Sequence, residues 1–201
     1  MHLDGGGEFD GVDAECFAFK SFAIADYNLT SEIAELAEKA NGAVCDVIYL
    51  SGEKDGVKAD IAMVYADSYS WDCRSYINNF ETKRGGSHCD GFRAGLADVY
   101  NKFLKNRLEQ DSEQIKINRN DAAEGLCAVI KISVPEFNYE PRVAKYKDQT
   151  LLKNIKDIVK KEFGKYLEEN PSFAKKFSAN ALCSARARLA AESARKAIRR
   201  H

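Results

Sequence analysis

The stretch from Ser75 to Leu96 constrains the fold of this chain more than any other part of the sequence. Its aromatic and β-branched run, Tyr76 to Phe80, predicts a short strand. Gly85-Gly86 follows, and glycine adopts backbone angles that other residues resist. Apolar residues then recur at spacings of four, three and four, as on one face of a helix, at Phe92, Leu96, Val99 and Phe103. The pattern by itself predicts a strand, a turn and a buried helix.

The start of this helix is predicted at Ser87, which stands three residues before Asp90 and resembles the first residue of a capping box. A second helix is predicted over Ser31 to Lys39, capped by Thr30 or Ser31 and stopped at Asn41-Gly42. The remaining predicted helices run from Leu152 to Leu167 and from Ser172 to Arg200, separated by Asn170-Pro171, with Asn170 as the cap of the last one.

Further strands are predicted on both sides of that stretch. A hairpin is expected from Val44–Leu50 and Val57–Tyr65, joined by a turn over Ser51 to Gly56 in which Asp55-Gly56 is the strongest signal. Asp67 to Arg74 is predicted as a loop, and the strongest strand is Cys127 to Val134. Cys16 to Phe22 alternates weakly and suits an edge strand. Strands interspersed with helices indicate an α+β domain.

Composition excludes several classes of protein. No run approaches the roughly 20 apolar residues that span a bilayer, and the first residues lack the basic and apolar regions of a signal peptide. The six cysteines form no Cys-x-x-Cys pair, so we expect no metal site and predict reduced thiols in a cytoplasmic protein. His88 and Cys89 are neighbours and would point about 100° apart on a helix, which argues against a catalytic dyad.

Charge is distributed unevenly along the chain. From Arg142 onward there are sixteen Lys and Arg residues against six Asp and Glu, although the whole chain carries a net charge of −1. Such asymmetry indicates that the C-terminal part meets an anionic partner. A solvated helix face explains it equally well. Six basic residues of the last helix are candidates for contacts with DNA phosphates: Arg186, Arg188, Arg195, Lys196, Arg199 and Arg200.

Several spaced motifs resemble one known family. They are Asn78-Asn79-Phe80, Gly85-Gly86-Ser87-His88, Gly91-Phe92 and, before the strongest strand, Glu124-Gly125-Leu126. This set resembles the signature of the B subunits of bacterial DNA gyrase and topoisomerase IV, which are type IIA topoisomerases, and in them it lies in the transducer domain. Ala123 stands where the family has an arginine.

The resemblance implies a ribosomal-protein-type β-α-β fold. We therefore expect a four-stranded sheet with helices on one face, a left-handed crossover and a long C-terminal helix. The expected domains are an N-terminal segment over residues 1–30, a transducer domain over 31–170 and a basic connecting helix over 171–201.

The resemblance also implies where a nucleotide would be sensed. In the family, a loop after the Val-Pro strand carries Gln-Thr-Lys, whose lysine reaches the γ-phosphate of ATP in the neighbouring ATPase domain. This chain has Glu140-Pro141-Arg142 there, with Lys145 as a further candidate. Arg142 keeps the charge, but its guanidinium is planar and bulkier than an ammonium, and Glu140 would repel an anion. Sensing through Arg142 and a loop that no longer senses nucleotide both remain open.

The resemblance implies a mechanical role. The sequence contains no P-loop, no nucleotide-binding Asp-x-Gly-x-Gly motif and no acidic triad of a cleavage core. We therefore expect the isolated chain to be inactive and to bind no cofactor, with ATP and Mg belonging to the complete enzyme. The implied partners are ATPase and DNA-cleavage domains, DNA, a gyrase-A-type subunit and a second copy in a dimer. The alternative is a non-catalytic regulatory module that reuses the fold.

Overall fold

The computed structural model describes residues 27–107, 115–135 and 147–199. The elements follow in the order α1 (Tyr27–Lys39), β1 (Ile48–Lys54), β2 (Val57–Tyr65), β3 (Asp72–Ile77), β4 (Phe80–Glu81), α2 (Ser87–Arg107), a 3₁₀ turn (Asp121–Ala123), β5 (Leu126–Ser133), α3 (Gln149–Glu169) and α4 (Pro171–Ile198). The predicted mixture of strands and helices is confirmed. The predicted edge strand Cys16 to Phe22 lies outside the described residues.

Over the described ranges the sheet has five strands in the order β1-β2-β5-β3-β4, where four were predicted. β1, β2 and β5 pair antiparallel, and β3 runs parallel to β5 from Asp72↔Cys127 to Ile77↔Ile132. The connection between these parallel strands contains α2, as a crossover requires. The left hand of this crossover stays a prediction.

Helices cover both faces of the sheet, so the prediction of helices on one face is wrong. Ile61, Met63 and Tyr65 point into the large core formed with α2, α3 and α4. Ala62 and Val64, one position out of phase, point to a second core formed with α1. Because successive side chains of a strand point to opposite faces, both sides of β2 are buried. The resemblance placed the helices on one side and gave no role to α1.

The fifth strand arises at a turn that the sequence pattern missed. Tyr76 to Phe80 is not one strand, since Asn78 and Asn79 have φ of 46° and 67° and reverse the chain between β3 and β4. Asparagine tolerates this left-handed conformation better than most residues. The predicted loop over Asp67 to Arg74 is correspondingly shorter, because β3 already begins at Asp72.

The chain reversals predicted at Asp55-Gly56 and Asn41-Gly42 are confirmed. Asp55-Gly56 has φ of 51° and 76° and joins β1 to β2. The first strand of this hairpin starts at Ile48 and continues to Lys54, so the predicted bounds Val44–Leu50 and the predicted turn from Ser51 are wrong. Asn41-Gly42 ends α1, and the N–H of Gly42 donates to the carbonyl of Ala37. Two details differ. Thr30 and Ser31 lie inside α1 rather than capping it. Asn170 is the N-cap residue of α4, as predicted, but its side chain makes no capping bond there, and its amide donates to the carbonyl of Tyr166 at the end of α3.

None of the helices in the described ranges is long and apolar enough to cross a bilayer. The same ranges contain no group of three His, Cys, Asp or Glu side chains able to hold a metal ion.

Candidate functional site

Asn78 joins the β3–β4 turn to the end of β5. Its side-chain amide donates to the carbonyl of Val134 and its carboxamide oxygen accepts from the N–H of Val134, both at 2.9 Å. Its own N–H donates to the carbonyl of Ile132 at 2.8 Å. The asparagine amide thus replaces a strand partner just beyond the last residue of β5 and fixes where the chain leaves the sheet.

Ser87 makes the equivalent connection to α3. Its hydroxyl oxygen Oγ accepts a hydrogen bond from the N–H of Asp148 at 2.8 Å. Asp148 is the N-cap of α3, where its carboxylate accepts from the N–H groups of Thr150 and Leu151. The first residue of α2 is therefore bonded to the cap of α3. The carboxylate of Asp90, the predicted second member of a capping box, contacts Arg93 at 2.7 Å.

Asn78 and Ser87 together hold both ends of one segment. Val134 precedes it and Asp148 follows it. The nucleotide-sensing candidates Glu140, Arg142 and Lys145 belong to this segment and lie outside the described residues. Two residues of the sequence signature thus fix the described residues on either side of the nucleotide-sensing candidates.

Gly91 is required where α2 crosses α3. A Cβ added to Gly91 would lie 2.5 Å from the carbonyl oxygen of Leu152, and one at Gly95 would lie 2.8 Å from Cβ of Val159. These two glycines, one helical turn apart, let the two backbones approach closely. Phe92 is fully buried and stacks on Trp71 with 5.8 Å between ring centroids.

His88 is a buried polar residue of the first turn of α2. Its Nε2 lies 3.2 Å from the Thr82 hydroxyl, and Thr82 in turn bonds Ser75 on β3. Nδ1 has no partner among the described residues. Gly85, with φ of 62°, and Gly86, whose carbonyl accepts from the N–H of Asp90, lead into this turn.

Gly125 shapes the approach to β5. It has φ of 71°, its carbonyl accepts from the N–H of Ala66, and an added Cβ would lie 2.6 Å from the carbonyl oxygen of Ser68. The neighbouring Glu124 is exposed. Ala123, which replaces the family arginine, is fully buried.

The last helix, α4, is held by the described part of the domain only as far as Arg188. Phe173, Ala174, Phe177, Ala181 and Ala185 pack on the main core, whereas every residue from 189 to 199 is exposed. Arg186, Arg195, Lys196 and Arg199 are among the exposed residues of α4, and Arg200 lies outside the described residues. Arg188 differs from them, because its guanidinium pairs with Asp121 at 2.9 Å.

Sequence reasoning missed three residues that organise this region: Asp121, Asp148 and Thr82. Asp148 could have been found, since Asp-x-x before an apolar helical pattern is an N-cap signal. Asp121 and Thr82 act through residues distant in sequence or on another element, so no local pattern marks them.

The fold and the motifs around Asn78 and Ser87 identify this chain as one of a known class of proteins. A family model described as DNA gyrase B matches residues 28–197. Because this match covers most of the chain, the chain belongs to the DNA gyrase B family.

The individual relatives agree with this assignment. The chain is 34% identical to the DNA gyrase B protein of Campylobacter jejuni over 159 residues, which are 79% of this chain and 21% of the relative. It is 34% identical to the DNA gyrase B protein of Streptococcus pneumoniae over 155 residues, 76% of this chain and 24% of the relative. The chain thus spans less than a quarter of the length of these relatives.

Solved structures show the same fold. The 43K ATPase domain of Thermus thermophilus gyrase B, in complex with an aminocoumarin, superposes with a TM-score of 0.70 at 25% identity, over 84% of this chain and 45% of that one. The topoisomerase IV ATP-binding domain of Francisella tularensis, in complex with a small-molecule inhibitor, superposes with a TM-score of 0.64 at 20% identity, over 77% of this chain and 42% of that one.

Proposed function

We propose that this chain is the transducer domain of an ATP-dependent type II DNA topoisomerase of the gyrase B type. It would couple ATP binding and hydrolysis in a neighbouring domain to DNA strand passage. ATP and Mg would be held by that neighbour, and catalysis would need DNA-cleavage domains, a gyrase-A-type subunit and dimerisation in the complete cytoplasmic enzyme. The domain limits 1–30, 31–170 and 171–201 belong to this proposal.

The observation that carries the proposal is the pair of connections on either side of residues 136–146. Asn78 holds Val134 and Ser87 holds Asp148, so a force on Val134 or Asp148 would act on the β3–β4 turn or on α2. A cation among residues 136–146 would respond to the γ-phosphate by ordinary charge attraction. Arg142 is the proposed cation, Lys145 is the further candidate, and Glu140 would repel an anion.

Helix α4 would transmit the motion of the domain to its neighbour. Its first half is packed on the core and its residues 189–199 are exposed. At 1.5 Å per residue that exposed end is a lever of about 16 Å. A rigid-body rotation of the domain would move the C-terminal end of α4 further than any residue of the sheet.

Docking to an ATPase domain tests the coupling. The purified chain and a separately expressed gyrase B ATPase domain would be crosslinked without nucleotide, with ADP and with a non-hydrolysable ATP analogue. We expect docking to be strongest with the analogue, and Arg142→Ala to remove the dependence on nucleotide while Arg142→Lys retains it. Absence of docking in every state would contradict the proposal.

The same experiment addresses the alternative, a regulatory module. Glu140-Pro141-Arg142 departs from the family loop, which favours a domain that binds without sensing nucleotide. Such a module would dock equally in all three nucleotide states, and Arg142→Ala would change nothing.

The exposed end of α4 is the proposed contact with DNA phosphates. Its cations are Arg195, Lys196 and Arg199, and the exposed Arg186, two residues before Arg188 and its pair with Asp121, is a further candidate. Arg200 lies outside the described residues. Neutralising Arg195, Lys196 and Arg199 to Gln should reduce the salt dependence of duplex binding by about three counterions. Neutralising three exposed lysines of α3 to Gln, Lys153, Lys161 and Lys165, is the matched control. Equal loss in both variants would indicate a merely solubilising surface.

A further inference from the structure

We propose that Cys73 and Cys89 form a redox-active dithiol, a site that peroxide oxidises reversibly to a disulfide between β3 and the first turn of α2. The inference concerns these two thiols alone and does not depend on the proposed function. Neither the sequence signature nor the gyrase B family assignment includes a role for either residue.

The geometry brings these two thiols together from different elements. Sγ of Cys73 lies 3.9 Å from Sγ of Cys89, although the residues are sixteen positions apart. The approach needed to form a bond of about 2 Å is therefore short. Cys89 is buried and Cys73 is partly exposed.

The other described cysteines have different surroundings. The Cys45 sulfur accepts from the N–H of Tyr65 at 3.4 Å, and the buried Cys127 thiol donates to the carbonyl of Leu36 at 3.7 Å. Cys183 is exposed on α4. Each therefore serves as an internal comparison for the reactivity of the pair.

The surroundings divide the roles between the two sulfurs. A hydrogen bond from the Cys73 thiol lowers the pKa of Cys89, with further lowering by the His88 ring and Ser75, and outweighs the effect of burial. The pKa of Cys73 is raised by the same hydrogen bond and by burial. The proton shared by the pair thus stays on Cys73. Since the thiolate is the nucleophile, Cys89 attacks first and Cys73 resolves.

The chemistry balances with hydrogen peroxide as the oxidant. The Cys89 thiolate attacks one peroxide oxygen, the O–O bond breaks, and the departing hydroxide takes a proton to become water, leaving a sulfenic acid on Cys89. Cys73 gives up its proton and attacks the Cys89 sulfur, the S–O bond breaks, and the hydroxyl leaves as a second water. Two thiols lose two electrons in total, and one peroxide is reduced to two waters.

The bond would close a loop that contains β4 and Gly85-Gly86. Asn78 and Ser87, which hold the two ends of the segment 136–146, lie in or next to that loop. Cross-linking it removes chain entropy from the unfolded state, so the oxidised protein should unfold at a higher temperature than the reduced one.

Peptide mapping of the full 201-residue chain tests the proposal. Trypsin releases Cys73 in Ala59–Arg74 and Cys89 in Gly85–Arg93, each with a single cysteine. After treatment of the reduced protein with hydrogen peroxide, we expect these two peptides joined and lighter by two hydrogens than their sum, and separated again by dithiothreitol. Cys73→Ser and Cys89→Ser should each abolish the joined peptide, and Cys183→Ser should leave it unchanged.

The proposal is overturned if both thiols remain free at peroxide concentrations that oxidise the exposed Cys183. It is equally overturned if Cys89 passes to the sulfinic acid without a joined peptide. The mapping of the unmodified chain decides the question even where a serine variant fails to fold.

Discussion

The guanidinium of Arg188 on α4 donates hydrogen bonds to the buried carboxylate of Asp121, with Nε 2.9 Å from Oδ1 and Nη2 3.0 Å from Oδ2. The same carboxylate accepts from the N–H of Asn118 at 2.8 Å. This pair fastens the middle of α4 to the turn that precedes β5. It also divides the helix into an anchored half and an exposed half.

Removing the charge of Asp121 should therefore loosen α4. We expect Asp121→Asn to lower the free energy of unfolding by about 2 kcal/mol, because a charge-assisted, largely buried pair is lost. Urea denaturation measures this change. Asp98→Asn is the control, since Asp98 pairs with Lys156 near the surface and should cost less than about 1 kcal/mol. Equal costs would show that the Arg188 pair contributes no more than a surface ion pair.

Substitutions at Asn78 separate its side-chain bonds from its backbone conformation. Asn78→Gly keeps the left-handed backbone and loses two hydrogen bonds, so we expect a loss of about 2 kcal/mol. Asn78→Ala should cost about 1 kcal/mol more, because alanine resists the φ of 46°. Thermal or urea unfolding gives both values. The exposed Asn79, replaced by Gly, should change stability by less than about 0.5 kcal/mol; a larger loss there would mean that its side chain has a role of its own.

Gly91→Ala should weaken the contact between α2 and α3. Its Cβ would lie 2.5 Å from a backbone oxygen, a clash that side-chain rotation cannot relieve, and we expect a cost of about 3 kcal/mol. Gly164 on α3 has no neighbour within 4 Å of an added Cβ. Gly164→Ala should therefore stabilise the protein by about 0.5 kcal/mol through helix propensity. The prediction fails if the two alanine variants unfold at the same urea concentration.

Glu35 should respond to the loss of Arg74 in an NMR titration. The side-chain hydrogen bond from Arg74, followed by that from Lys39, lowers the pKa of Glu35 from 4.5 to about 2. Its contribution to stability is therefore complete above pH 4.5 and is lost as pH falls toward 2. We expect Arg74→Gln to raise this pKa more than Lys39→Gln does. Acid unfolding of Glu35→Gln should be less steep over that range, and an unchanged profile would contradict the assignment.

The local sequence pattern was sufficient to predict most of the helices and strands and the turn at Asp55-Gly56. The Asp55-Gly56 hairpin, the β2 strand from Val57 to Tyr65 and the break at Asn170-Pro171 were all predicted, because each depends on backbone preferences of adjacent residues. The motifs around Asn78 and Ser87 were enough to indicate the family. The sequence did not indicate that Asn78-Asn79 splits one apparent strand into two, since the apolar residues on both sides continue the strand pattern.

Only the tertiary structure decided which of these residues act together. Three contacts join residues that are 56 to 67 positions apart in the sequence. They pair Asn78 with Val134, Ser87 with Asp148 and Arg188 with Asp121. The same holds for the second core beneath α1, which needs the opposite face of β2. Sequence patterns report the preferences of neighbours along the chain. Such pairings are set by packing of whole elements, which no local preference encodes.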